Sequence, residues 1–116
     1  MGYRLPDKND RVKRLTEEME RIVSILQNRG VEKIVLFGSL ARGDVGSSSD
    51  VDLIVVEKTD KRFLERLDDV YSAVQPRVAT DILVYTPEEI ERLKESSSFV
   101  RQVLREGRVL YEKGCE

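Results

Sequence analysis

Two aspartates at the start of an apolar run are the residues whose type and spacing first suggest chemistry. Asp50 and Asp52 bracket Val51, and side chains two positions apart on a strand share one face. Adjacent carboxylates repel each other unless a cation lies between them, and Mg²⁺ prefers such hard oxygen ligands. An isolated Asp-x-Asp pair is also typical of a polar strand entry, so the pair alone leaves both interpretations open.

A third acid, Asp81, lies inside the otherwise apolar run 79–85. Because a buried carboxylate without a partner is unfavourable, we expect it to have a partner or a metal. If this run forms a strand beside residues 51–56, Asp81 joins the other two acids. The alternative is an acid near the strand end that reaches solvent or an arginine such as Arg77.

A glycine and a serine, Gly38 and Ser39, follow the apolar run 31–37. A glycine at such a turn lets the backbone approach a ligand closely, and the serine hydroxyl adds a hydrogen bond to phosphate. An ordinary strand-to-helix turn has the same sequence. Together with three carboxylates on two strands, however, the turn meets the requirements of two-metal phosphoryl transfer.

The remaining pattern describes the elements that must position these residues. Apolar spacing predicts helices at 10–29 and 60–75, a helical turn at 40–42, and one helix from Pro87 that ends at Gly107. β-branched runs predict strands at 31–37, 51–56 and 79–85, with a short edge strand at 108–111. The fold class is therefore α/β (α+β), a small mixed β-sheet flanked by helices, with residues 1–116 forming one domain.

Composition excludes several classes of function. The net charge is −2 and no basic stripe is present, so we expect no binding of extended nucleic acid. The chain has no histidine, which excludes histidine-based catalysis. No apolar run is long enough to span a membrane, the start of the chain is polar, and Cys115 is the single cysteine. We therefore expect a cytoplasmic protein.

The motif resembles the minimal nucleotidyltransferases of the DNA-polymerase-β-like superfamily. Their signature is Gly-Ser, ten residues, then Asp-x-Asp, and here residues 40–49 separate Ser39 from Asp50. Ala41-Arg42-Gly43 after the Gly-Ser pair and the segment 106–111 near the end also fit this family. The resemblance covers nearly the whole chain and implies a polymerase-β-like nucleotidyltransferase fold.

The resemblance also implies a role for each position. Asp50, Asp52 and Asp81 would be catalytic and hold two Mg²⁺ ions, with Asp81 helping to deprotonate the acceptor hydroxyl. The implied nucleotide-binding residues are Gly38, Ser39, Arg42 and Ser49. Arg42 and Asp44 lie in the same loop, and a structural ion pair between them is an equally good interpretation.

The implied reaction is transfer of a nucleoside monophosphate, AMP from ATP, to an acceptor hydroxyl. Similar proteins are antitoxins that attach AMP to a HEPN-domain toxin, typically on tyrosine, so a protein adenylyltransferase antitoxin is our leading hypothesis. Two alternatives are transfer to a small molecule of the antibiotic type and a non-catalytic module that masks its partner. The sequence leaves open a homodimer or a hetero-oligomer.

Overall fold

The computed structural model describes residues 8–46 and 50–114. The helices are α1 (Lys8–Arg29), α2 (Gly38–Arg42), α3 (Phe63–Val74), α4 (Pro87–Ser96) and α5 (Ser98–Glu106). The strands are β1 (Lys33–Phe37), β2 (Val51–Val56), β3 (Thr80–Tyr85) and β4 (Arg108–Glu112). Apart from the last predicted helix, the predicted elements are present, and none of their ends differs by more than three residues.

Four strands form one mixed sheet in the order β3-β2-β1-β4. β1 pairs antiparallel with β2 and, on its other side, antiparallel with β4. β2 and β3 are parallel, because α3 carries the chain back across the sheet between them. The predicted mixed α/β fold class is confirmed.

Helices cover both faces of the sheet. Residues of α1, α2 and α3 pack with one set of alternate strand side chains, and residues of α4 and α5 pack with the other set. The two sets follow from strand alternation: Ile34, Leu53 and Ile82 belong to the α1–α3 face, whereas Val35 and Ile54 belong to the α4–α5 face. The sheet is therefore buried on both sides.

The single helix predicted from Pro87 to Gly107 is wrong, because the structure has two helices there. Ser97 is extended, with φ −119° and ψ 114°, and its side chain accepts a hydrogen bond from the Val100 N–H. Serine satisfies a free N–H at a helix start better than it continues a helix, so the chain starts α5 at this point. The start of α4 has a capping box of Thr86 and Glu89, with Pro87 in the first turn.

Candidate active site

The parallel pairing of β2 and β3 brings two of the predicted acids together. Asp52 lies directly opposite Asp81 in the register of the two strands, and both belong to the set of alternate residues that faces the α4–α5 side. Asp50 precedes β2 and is close enough to Asp52 to act on it electrostatically. The structure thus gathers the three carboxylates at the N-terminal ends of β2 and β3.

The environment of Asp52 disfavours its charge. Partial burial raises the pKa of this carboxyl above its ordinary value, and the negative charges of Asp50 and Asp81 raise it further. The Arg42 guanidinium acts in the opposite direction and has the smallest effect of the four. The site therefore carries more negative charge than its own residues neutralise.

Asp81 itself is exposed, which matches the alternative of an acid near the strand end that reaches solvent. β3 is an edge strand, and Asp81 is its second residue, so one side of this position opens to solvent. The placement beside residues 51–56 is nevertheless as predicted. The exposure leaves the Asp81 carboxylate accessible to a large acceptor molecule.

Gly38 is the first residue of α2, directly after β1, and lies against Asp52 of the acid cluster. Its φ is +77°, a left-handed conformation that glycine adopts without strain. A Cβ atom built at this position would overlap the Oδ2 atom of Asp52 and lie 3.0 Å from its Cγ atom. The glycine therefore lets the α2 turn approach the Asp52 carboxylate more closely than any other residue would.

Of the other predicted nucleotide-binding residues, the structure describes Ser39 and Arg42. Ser39 is half-buried in α2, where its carbonyl oxygen accepts a hydrogen bond from the Asp44 N–H at 2.9 Å. Arg42 ends α2 and is exposed, and among residues 8–46 and 50–114 it makes no ion pair with Asp44. Ser49, the remaining predicted residue, lies outside the described part of the chain, as does Cys115.

The three acids fit a divalent cation in chemistry and in charge. Carboxylate oxygens are the preferred ligands of Mg²⁺, and a cation would offset both the burial of Asp52 and its repulsion by Asp50 and Asp81, which together raise its pKa. Within the described residues, however, no group of three acidic, histidine or cysteine side chains converges in an arrangement ready to hold a metal.

A cleft beside the acids was not predicted from the sequence. It has a volume of about 130 Å³ and lies between α2 and α5, with Gly38, Phe99 and Gln102 among its lining residues. The Phe37 and Phe99 rings meet edge to face, 5.7 Å apart, at this cleft. The sequence signal that could have indicated this cleft is the spacing of Phe99, Gln102 and Glu106, which places them on one face of a helix next to the stripe that packs on the sheet.

Comparison with protein families decides the class of this site. Residues 20–116 match the family model described as polymerase beta, nucleotidyltransferase. The chain belongs to this nucleotidyltransferase family. It is therefore a nucleotidyltransferase, and the acids at the β2–β3 edge are its candidate catalytic residues.

Individual relatives and solved structures agree with this family. A candidate protein adenylyltransferase of Methanocaldococcus jannaschii is 38% identical over 82 residues, which are 70% of this chain and 79% of the relative. A candidate nucleotidyltransferase from Sulfolobus solfataricus has the same fold, with a TM-score of 0.66, 21% identity, and coverage of 97% of this chain and 94% of that one.

Two toxin–antitoxin structures share the fold as well. One contains AMP-PNP, with a TM-score of 0.51, 21% identity, and coverage of 82% of this chain and 73% of that chain. The other is MntA–HpeT with a tyrosine-to-alanine mutation, with a TM-score of 0.51, 20% identity, and coverage of 83% and 73%. Across residues 8–46 and 50–114 of this nucleotidyltransferase, no helix is long and apolar enough to cross a membrane.

Proposed function

We propose that this nucleotidyltransferase is an antitoxin that transfers AMP from ATP to a side-chain hydroxyl of a HEPN-domain toxin, with Mg²⁺ as cofactor. The observation that carries the proposal is the register of the two parallel strands, which pairs Asp52 with Asp81 next to Asp50. In a member of this family, that edge is the natural position for phosphoryl-transfer chemistry.

The three acids would hold the cofactor. Two Mg²⁺ ions bound by Asp50, Asp52 and Asp81 would supply Lewis-acid stabilisation of the charge that develops on the phosphoryl oxygens. The unfavourable environment of the Asp52 charge supports this assignment, because a bound cation would stabilise a carboxylate that burial and two neighbouring acids disfavour.

The turn after β1 would bind the triphosphate. The absence of a side chain on Gly38 lets the start of α2 lie against Asp52, so a phosphate bound at this turn would be next to the acids. Ser39 and Ser49 would donate hydroxyl hydrogen bonds, and the exposed Arg42 would pair with phosphate oxygens. The lack of an Arg42–Asp44 ion pair within the described residues favours this role for Arg42 over a purely structural one.

Asp81 would act as the general base. Its exposed carboxylate would accept the proton of the acceptor hydroxyl while the hydroxyl oxygen attacks the α-phosphorus. A bond forms between the acceptor oxygen and the α-phosphorus, the bond to the β-phosphate oxygen breaks, and pyrophosphate leaves. Exposure suits this role because the acceptor belongs to a second protein.

Related proteins support the proposal that the acceptor is a protein. The Methanocaldococcus jannaschii relative is named as a candidate protein adenylyltransferase, and two structures with the same fold are toxin–antitoxin complexes, one of them with AMP-PNP.

The test is transfer of label from α-phosphate-labelled ATP to a co-purified or co-expressed toxin protein in the presence of Mg²⁺. We expect label on the toxin with the wild-type chain and none with Asp50→Ala combined with Asp52→Ala. Asp68→Ala is the matched control, because it removes an exposed acid of α3 and should leave labelling unchanged.

Each contrary result has a specific meaning. If the double variant still labels the toxin, the acids are not the catalytic residues. If the wild-type chain labels no protein yet Mg-ATP raises its melting temperature, the acceptor is not this toxin. If Mg-ATP causes no shift and no label appears, the chain acts by docking alone.

A further inference from the structure

The cleft between α2 and α5 has the size of a single ring. Its volume is about 130 Å³, whereas pockets for whole drug-sized ligands typically hold roughly 300–1,000 Å³. The lining residues are Phe37, Gly38, Ala41, Arg42, Phe99, Gln102, Val103, Glu106 and Gly107. A cleft this small accommodates one flat group of a larger ligand and leaves the rest of that ligand outside.

This cleft is continuous with the acid cluster. Gly38 lines the cleft and also contacts the Asp52 side chain, so that only one residue without a side chain separates the two. Phe37, another lining residue, lies directly opposite Asp52 in the pairing of β1 with β2. A ligand whose phosphate is bound at the acids therefore has its adjoining group within reach of the cleft.

Phe99 offers a surface for stacking. This side chain is 46% exposed, and its edge-to-face contact with Phe37 fixes the orientation of the ring. Aromatic side chains that are both fixed and exposed are the usual platforms on which nucleic-acid bases stack.

Two polar side chains at the rim of the cleft, Gln102 and Glu106, provide hydrogen-bond acceptors. Gln102 donates from Nε2 to Oε2 of Glu106 at 3.2 Å, which leaves the Gln102 carbonyl oxygen as an acceptor. The other Glu106 oxygen lies 4.0 Å from the Arg105 guanidinium and can also accept a hydrogen bond. The Glu106 carboxylate also repels phosphate, which opposes the attraction of Arg42 on the other wall. These acceptors favour a ring that carries N–H donors over a phosphate group.

We propose that this cleft binds the base of the nucleoside triphosphate and selects a purine with an exocyclic amino group. The base stacks on Phe99, and its amino group donates to Gln102 or Glu106. The inference rests on the proposed function, since it assumes that a nucleoside triphosphate is the ligand of the adjacent acids.

The test is isothermal titration of the full chain in Mg²⁺ with three probes: ATP, purine riboside triphosphate, which lacks the amino group, and inorganic tripolyphosphate. We expect Phe99→Ala to weaken ATP binding about tenfold and to leave tripolyphosphate binding unchanged. Leu64→Ala is the matched control, because it removes an exposed apolar side chain of α3 outside the cleft.

The role of the exocyclic amino group is tested by comparing the affinities for ATP and purine riboside triphosphate. The wild-type chain should bind ATP about fivefold more tightly than purine riboside triphosphate, and Gln102→Ala combined with Glu106→Ala should abolish that preference. Both substituted residues are exposed, so the double variant should keep its fold.

Three results would overturn the inference. If Phe99→Ala binds ATP like the wild type while toxin labelling persists, the cleft is not the base site and the proposed function stands. If Phe99→Ala raises the KM for the toxin and leaves ATP affinity unchanged, the ring in the cleft belongs to the acceptor. If the wild-type chain binds neither ATP nor tripolyphosphate, the proposed function fails as well.

Discussion

Asp52 and Glu18 are carboxylates in two regions of one small protein, and their surroundings act on them in opposite directions. Glu18 of α1 is buried and accepts two hydrogen bonds from Arg21, at 2.8 and 2.9 Å, and one from the Arg77 N–H. The Arg21 hydrogen bond is the main cause that lowers the pKa of Glu18 to about 2, against the opposing effect of burial. For Asp52, burial and two neighbouring acids raise the pKa instead.

The difference distinguishes a structural charge from a functional one. Glu18 has partners within the chain that connect α1 to the segment before β3, so its charge stabilises the fold. The charge on Asp52 is opposed by the fold and requires something external to stabilise it. The same contrast is seen at Glu89, whose pKa is lowered mainly by the hydrogen bond from buried Arg66.

The largest expected effect is the loss of activity in Asp52→Asn. We expect the rate of nucleotidyl transfer to fall by roughly a thousandfold, because one ligand of the proposed cofactor is lost. The free energy of unfolding of the metal-free chain should stay the same or rise, because the substitution removes a charge that the fold disfavours. Label transfer and urea unfolding measure the two effects, and a clear loss of stability would contradict the contrast with Glu18.

The second prediction concerns the close approach of Gly38 to Asp52. Gly38→Ala should lower the free energy of unfolding by about 3 kcal/mol, since it combines left-handed strain with overlap at the Asp52 carboxylate. Gly43→Ala is the matched control: its φ is +75°, but nothing lies within 4 Å of the new Cβ atom, so it should lose only about 1 kcal/mol.

Urea unfolding of the two glycine variants gives the comparison directly. Equal losses would mean that conformational strain accounts for both, and that the approach to Asp52 is not tightly packed. A larger loss in Gly38→Ala, together with a lost Mg-ATP thermal shift, would connect the packing of this turn to the proposed nucleotide site.

The third prediction tests Glu18 as the structural counterpart. At neutral pH, Glu18→Gln should lower the free energy of unfolding by about 2 kcal/mol, because it removes the charge that Arg21 stabilises. The loss is limited because the amide oxygen still accepts part of the hydrogen bonding. The pKa of Glu18 is lower in the folded state, so its contribution is present above the ordinary value of 4.5 and is lost as the pH falls towards 2.

The two unfolding curves should therefore converge at acidic pH. Glu20→Gln, an exposed acid of the same helix, should match the wild type across the whole range. A loss in Glu18→Gln that stays constant from pH 7 down to pH 2 would show that packing, not charge, accounts for the effect.

Much of the site was predictable because its determinants are local. The spacing from Ser39 to Asp50 and the apolar runs around Asp52 and Asp81 predict two strands and a turn that position the acids. The register that pairs Asp52 with Asp81 then follows from one crossover through α3. Alternation along a strand did not predict the exposure of Asp81, because exposure depends on which strand lies at the sheet edge.

Contacts between distant segments were not predictable in the same way. Glu18 is bound by Arg77, 59 residues further along the chain, and no local pattern indicates that pairing. The cleft likewise depends on α5 packing beside α2, which the sequence does not specify. The break at Ser97 was missed because apolar residues recur at helical spacing on both sides of it, although residues 94–98 contain none. The Ser97 side chain caps the second helix there through one hydrogen bond.

That break gives the smallest expected effect. Ser97→Ala removes the hydroxyl that accepts from the Val100 N–H at 3.2 Å and should lower the free energy of unfolding by about 1 kcal/mol. Ser98→Ala, one residue further and exposed, should change it little. Because Phe99 lies in the first turn of α5, fraying at Ser97 should also weaken ATP binding in the titration, although less than Phe99→Ala does. If Ser97→Ala instead stabilises the chain, a continuous helix is accessible here, and the start of α5 would no longer fix the position of the stacking ring.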